Sequence, residues 1–107
     1  RIVNVSTILS SLTLHSAENS PIAPAKEFAY NASKTALNAY TIHLAIELKD
    51  TNIKVNSGHP GWVKTELGGP NAPIEVQDSY KTSLRLATLD DDGPSGGLFH
   101  EDEALPW

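Results

Sequence analysis

Two short β-branched runs bracket one long helical pattern, and that order leaves few folds open. "RIVNVS", Arg1 to Ser6, carries Ile2, Val3 and Val5 almost without interruption. Such a run suits a parallel strand covered on both faces. "IKVNSG", Ile53 to Gly58, reads as a second strand. Between them a helix is predicted from about Ala25 to about Lys49. Leu37, Thr41, Leu44 and Leu48 recur at helical spacing, with Tyr40 and Ala45 beside them. Pro24 suits the first turn of that helix, and Glu27 is favourable near its positive end. A helix joining two such strands implies a right-handed crossover and parallel pairing.

The remaining segments extend the same alternation. "STILSSLTLHSAENSPIAP" is Ser-rich, ends in two prolines and reads mostly as loop. "HPGW" breaks the second strand. A second helix is predicted from about Ile74 to Leu89, with Val76, Tyr80, Leu84 and Leu86 as its apolar side. "DDDGPSGG" is a turn, "GLFHE" a short last strand, and "DEALPW" a tail. The fold class is therefore α/β, the C-terminal part of a doubly wound, Rossmann-type parallel sheet in the order β-α-β-α-β.

At 107 residues the chain suits one small domain or part of a larger one. Its net charge of −5 and lack of any basic run disfavour nucleic acid and anionic membranes as partners. No apolar run is long enough to cross a bilayer as a helix. Without cysteine there is no disulfide or thiolate chemistry, which fits a reducing compartment such as the cytoplasm. His15, His43, His59 and His100 lack metal-ligand spacing, so no metal site is expected. Among them His59 sits beside the Pro-Gly turn and could line a site. The Asp90–Asp92 and Glu101–Glu103 clusters read as solvated turns.

"YNASK" is the stretch with chemistry. Tyr30 and Lys34 are one helical turn apart on one face. An ordinary phenol, with a pKa of about 10, is a poor proton relay at neutral pH. An ammonium at about 4 Å favours the phenolate by ~4 kcal/mol at an effective dielectric near 20. General acid–base catalysis gains when the relay titrates close to the working pH. Asn31, Ala32 and Ser33 keep the helix surface thin around the pair. The pair also lies near the helix start, after a loop that leaves the end of a strand. In open α/β sheets, that edge is where ligands bind.

These residues together resemble the short-chain dehydrogenase/reductase family. "YNASK" is similar to its YxxxK signature, "RIVNVST" to the strand that delivers its catalytic hydroxyl, and "NSGHPGWVKT" to its PGxxxT segment. "GGLFHEDEALPW" is similar to the end of its carbonyl-reductase-like branch. The resemblance covers residues 1–107 but only the C-terminal half of the family's single domain. It implies that Tyr30 is the acid/base and that Lys34 binds the nicotinamide ribose and tunes the phenol. Thr7 stands where a serine usually orients the substrate carbonyl, and Ser10 where glycine is common. Pro60, Gly61, Val63 and Thr65 fall on the cofactor-facing loop, with the Val63 backbone and Thr65 hydroxyl meeting the carboxamide or phosphates. The implied cofactor is NADP or NAD, the implied substrate a small carbonyl or alcohol, and the implied assembly a homo-oligomer through the long helix.

The family's Gly-rich βαβ unit, which brings pyrophosphate against a helix start, has no counterpart in the sequence. The N-terminal dinucleotide-binding half is therefore read as absent, leaving a half-site. "RIVNV" opens as a strand with no lead-in, which agrees. A first strand without its neighbours would expose an unpaired edge. The alternative is a non-catalytic remnant or interaction module unable to bind cofactor alone.

Overall fold

The computed structural model describes residues 1–25 and 27–107. Strands β1 (Ile2–Val5), β2 (Val55–Gly58), β3 (Leu98–His100) and β4 (Glu103–Leu105) form one sheet in that spatial order. β1 and β2 are parallel, with Ile2 opposite Val55 and Val5 opposite Gly58. β2 and β3 are also parallel, and β3–β4 is an antiparallel hairpin. Helix α1 (Leu12–Ser16) follows β1, α2 (Phe28–Glu47) joins β1 to β2, and α3 (Lys81–Ala87) precedes β3. The result is the α/β, parallel-dominated open sheet that the alternation implies. β1 is an edge strand, paired on one side only, and Val5 is 54% exposed rather than covered on both faces.

The long helix starts at Phe28, not Ala25, and ends at Glu47. Ser20 and Ile22 accept turn hydrogen bonds from Ala23 and Ala25, so the Pro24 segment is a turn ahead of the helix. Lys26, within the predicted first turn, lies outside the described residues. The segment read as loop contains a 3-10 turn, Ile8–Ser10, and α1, each opened by a side-chain cap. Thr7 accepts from the Leu9 amide and Ser11 from the Leu14 amide. β2 begins at Val55 rather than Ile53, because Thr51 folds the preceding residues into a turn.

The second helix is shorter than predicted. Ile74 is bridged to Val63, with its N–H on the Trp62 carbonyl and its C=O on the Lys64 amide. Backbone groups committed to that bridge cannot enter a helix. A 3-10 turn at Val76–Asp78 intervenes, and α3 starts only at Lys81. Val76, Tyr80 and Leu84 are exposed, and Leu86 and Thr82 are the residues that bury. The predicted tail is β4. Glu101 takes a left-handed φ of 48°, which closes a two-residue turn between His100 and Glu103. Two members of the acidic clusters are paired rather than merely solvated, Asp91 with Arg1 at 2.8 Å and Asp102 with Arg85 at 2.6 Å.

The helix–sheet contact is polar where periodicity implied leucines. Asn31, Asn38, Thr41 and Ala45 form the buried stripe of α2, while Leu37, Leu44 and Leu48 are half-buried and Tyr40 is exposed. Small polar residues let the helix approach β1 and β2 closely, and apart from Asn31 Oδ1 their side-chain polar atoms are partnered. The Thr41 hydroxyl donates to the Leu37 carbonyl at 2.9 Å and accepts from Asn4 at 2.9 Å and Ser57 at 2.8 Å. The buried apolar residues divide between the two faces of the sheet, Val55 and Leu98 on the α2 side with Ser57, and Leu86 and Phe99 on the α3 side with Gly58. Replacing Thr41 with Val leaves the Asn4 amide and Ser57 hydroxyl without their partner. The expected loss is about 1–3 kcal/mol in urea unfolding, and an unchanged midpoint would show that the seam contributes nothing.

Candidate active site

The parallel strands all end at one edge, and the predicted site residues gather there. α2 brings Tyr30 and Lys34 past the end of β1. The Lys34 ammonium donates to the Val5 carbonyl at 2.8 Å and lies 5.9 Å from the Tyr30 ring centroid, within cation–π range. Tyr30 is partly exposed. Its hydroxyl has no partner among the described residues, and neither have the other two ammonium hydrogens. The pair faces an open edge rather than an enclosed cleft. A cavity of about 280 Å³ lies apart from it, between the Pro60 turn, Ile74 and the start of α3.

Thr7 follows β1 directly and is buried, in extended conformation. Its Oγ1 accepts from the Leu9 amide at 3.2 Å, which leaves its own O–H available as a donor. Ser6, its neighbour, turns to the opposite face and donates to Asn38 on α2 at 2.8 Å. Ser6 and Thr7 thus face opposite sides of the extended chain.

β2 delivers the Pro60–Thr65 loop beside β1, with the Ser6 amide on the Gly58 carbonyl at 2.8 Å. Gly61 has a φ of 88°, and a Cβ there would sit 2.2 Å from Ile74 Cδ1. Only glycine allows this turn to close against Ile74. The loop then folds on itself. Trp62 Nε1 donates to the Gly68 carbonyl at 2.7 Å, and the Gly68 amide donates to Thr65 Oγ1 at 3.0 Å. The Ile74 bridge engages Trp62 and Lys64, so the N–H of Val63 points the other way. It finds no acceptor among the described residues.

Residues that sequence reasoning missed hold this loop. The His59 carbonyl accepts from His100 Nδ1 at 2.9 Å and from the Thr82 hydroxyl at 3.1 Å. Thr82 in turn accepts from the Glu101 amide at 2.8 Å. The knot ties the Pro-Gly turn to α3 and to the β3–β4 hairpin. No local motif marks it, since its members are spread over more than 40 residues.

The His59 imidazole is pushed down to about 4, first by burial and then by the neighbouring charge of His100, whose ring lies 5.0 Å away. Its Nδ1 is buried without a partner. Below about pH 6.5 the unfolded chain takes up a proton that the fold refuses. This group therefore contributes full stability above that pH and loses it as pH falls toward 4, by on the order of 2–3 kcal/mol. Urea unfolding of wild type and His59→Asn at pH 7.5 and 4.5 should show a shallower acid loss in the variant. Equal losses would show that His59 is not the responsible group.

The family profile described as enoyl-(acyl carrier protein) reductase matches residues 5–90. The chain is 39% identical over 77 residues to (-)-isopiperitenone reductase of Mentha piperita, covering 72% of this chain and 24% of that protein. Carbonyl reductase Sniffer of D. melanogaster superposes with a TM-score of 0.78 at 34% identity, covering 99% of this chain and 40% of that one. An NADPH-bound carbonyl reductase from chicken fatty liver superposes with a TM-score of 0.79 at 26% identity, covering 99% and 39%. The chain belongs to the short-chain dehydrogenase/reductase family. It spans about a quarter of the isopiperitenone reductase and about 40% of each carbonyl reductase.

Proposed function

We propose that the chain is the acid–base, C-terminal half of a nicotinamide-dependent oxidoreductase that interconverts a small carbonyl compound and its alcohol. The observation that carries this reading is the Lys34 ammonium, fixed on the Val5 carbonyl beside Tyr30 at the ligand-binding edge of the sheet. The partial span of the relatives supports placing the rest of the site, the pyrophosphate cradle included, in a longer product of the same gene.

The donor set fits the nicotinamide–ribose end of NADP or NAD. Lys34 keeps two N–H donors for ribose hydroxyls, and Val63 offers an unpaired amide for the carboxamide oxygen. Pro60 and Gly61 shape the turn that presents Val63, and Thr65 Oγ1 caps the loop behind it. None of the described residues offers a phosphate cradle, so only this end is assigned. A nicotinamide dinucleotide bound there supplies hydride to the carbonyl carbon, or accepts it from the alcohol. Tyr30 gives its phenolic proton to the carbonyl oxygen as negative charge grows there, and takes it back in the reverse direction. Thr7 donates a hydrogen bond to the same oxygen and fixes its place. The Lys34 charge stabilises the phenolate left behind.

Phe28, Tyr40 and Ile46 on α2 are 88, 55 and 59% exposed, which supports a homo-oligomer of the full-length product through this helix. No helix among the described residues is long and apolar enough to cross a membrane. A cysteine-free chain suits the cytoplasm, and we place the protein there.

The gene should encode an in-frame Gly-rich strand–turn–helix ahead of Arg1. NADPH or NADH should bind the longer product saturably and the 107-residue chain not at all. In the longer product, Tyr30→Phe should lower kcat by at least about 10²-fold while the cofactor Kd stays within about threefold. Normal turnover in that variant would remove Tyr30 from the mechanism. Absence of the Gly-rich unit would favour the non-catalytic interaction module.

A further inference from the structure

We infer that Asn38 and Ser10 are positioning residues for the Thr7 hydroxyl, a role that rests on the proposed function of Thr7. Asn38 lies one helical turn beyond Lys34, as Lys34 lies one turn beyond Tyr30. Lys34 grips the carbonyl of residue 5, and Asn38 grips the residues on either side of Thr7. Its Oδ1 accepts from the Ser6 hydroxyl at 2.8 Å, and its Nδ2 donates to Ser10 Oγ at 2.6 Å. Ser10 passes the grip on. Its hydroxyl donates to the Thr7 carbonyl, and its amide donates to the same oxygen at 3.1 Å. The Ser10 carbonyl is itself within 2.9 Å of the Thr35 hydroxyl of α2. Ser6, Thr7, Ser10 and Asn38 are all buried, and the Ser6 and Ser10 hydroxyls and the Asn38 amide each donate within the chain of bonds.

One helix face therefore sets both partners of the reaction. Tyr30 rides on α2, and Thr7 is held to α2 through Asn38 and Ser10. The type of residue 7 makes the grip necessary. Threonine is β-branched and stiff at χ1, so its hydroxyl goes where the backbone sends it. A serine could swing its hydroxyl back after a backbone shift, but Thr7 cannot. Fixing the Thr7 carbonyl fixes the hydroxyl's aim, and that aim governs the rate rather than cofactor affinity.

The test is a double-mutant cycle in the full-length product, using Ser10→Ala and Thr7→Ser, with hydrogen exchange at the Leu9 amide as a second readout. Leu9 donates to Thr7 Oγ1, so its protection reports the hydroxyl's position without any turnover. Ser10→Ala alone should lower kcat about tenfold, leave the cofactor KM within twofold, and speed Leu9 exchange. In the Thr7→Ser background the same change should cost no more than about twofold. Asn38→Ala should follow Ser10→Ala where it folds. Equal losses in both backgrounds, or Leu9 protection unchanged by Ser10→Ala, would overturn the inference. A wild-type product that binds cofactor but turns over no carbonyl would sink the proposed function, and Leu9 exchange would still decide whether the grip orders Thr7.

Discussion

The contact between the Lys34 ammonium and the Val5 carbonyl joins the long helix to the tip of the first strand. Everything at the site is measured from that joint. A charged donor on a backbone acceptor is stronger than a neutral pair, and this one sits at the edge where the parallel strands end. It places a positive charge beside the Tyr30 ring while leaving two donors unspent. Neither Tyr30 nor Lys34 is enclosed, because the sheet stops at β1 on that side. The same geometry that exposes the pair also exposes the β1 backbone to further pairing.

Two polar assemblies then hold the other components to the sheet. On the α2 side, a seam of Asn and Ser/Thr groups replaces the usual apolar interface and carries Thr7 with it. On the α3 side, the His59 carbonyl collects donors from His100 and Thr82 and thereby fixes the root of the Pro-Gly turn. Buried polar groups of this kind are stabilising only when each is satisfied. The Asn38 and Thr41 part of the seam meets that condition, but Asn31 Oδ1 at its start and His59 Nδ1 do not. That orphaned nitrogen ties the acid stability of the fold to the loop that presents Val63.

Much of this was legible in the residues. β-branched runs and helical spacing gave the β-α-β order, and Tyr30 with Lys34 stood out because both lie on one face of a helix whose start follows a strand end. What could not be read was any arrangement set by tertiary partners. Leu37, Leu44 and Leu48 suggested an apolar interface, yet the helix turns Asn38 and Thr41 inward because Ser6, Ser10 and Ser57 await them. The Asn31, Asn38, Thr41, Ala45 spacing was the available signal, but periodicity scored on leucines hides it. α3 was overextended because nothing local reveals that Ile74 is spent on Val63. β4 was missed because Glu101–Asp102 closes its hairpin without the Asn-Gly or Asp-Gly pair that marks such turns.

The account's central claim is that a dinucleotide meets the Lys34–Val5 joint at its nicotinamide end. A crystal structure of the full-length product with NADP(H) tests this most directly. The account predicts ribose hydroxyls bonded to Lys34, the carboxamide on the Val63 amide, and the Lys34–Val5 hydrogen bond still in place. A dinucleotide seated elsewhere, or a Lys34 swung away from both Val5 and the ribose, would contradict it.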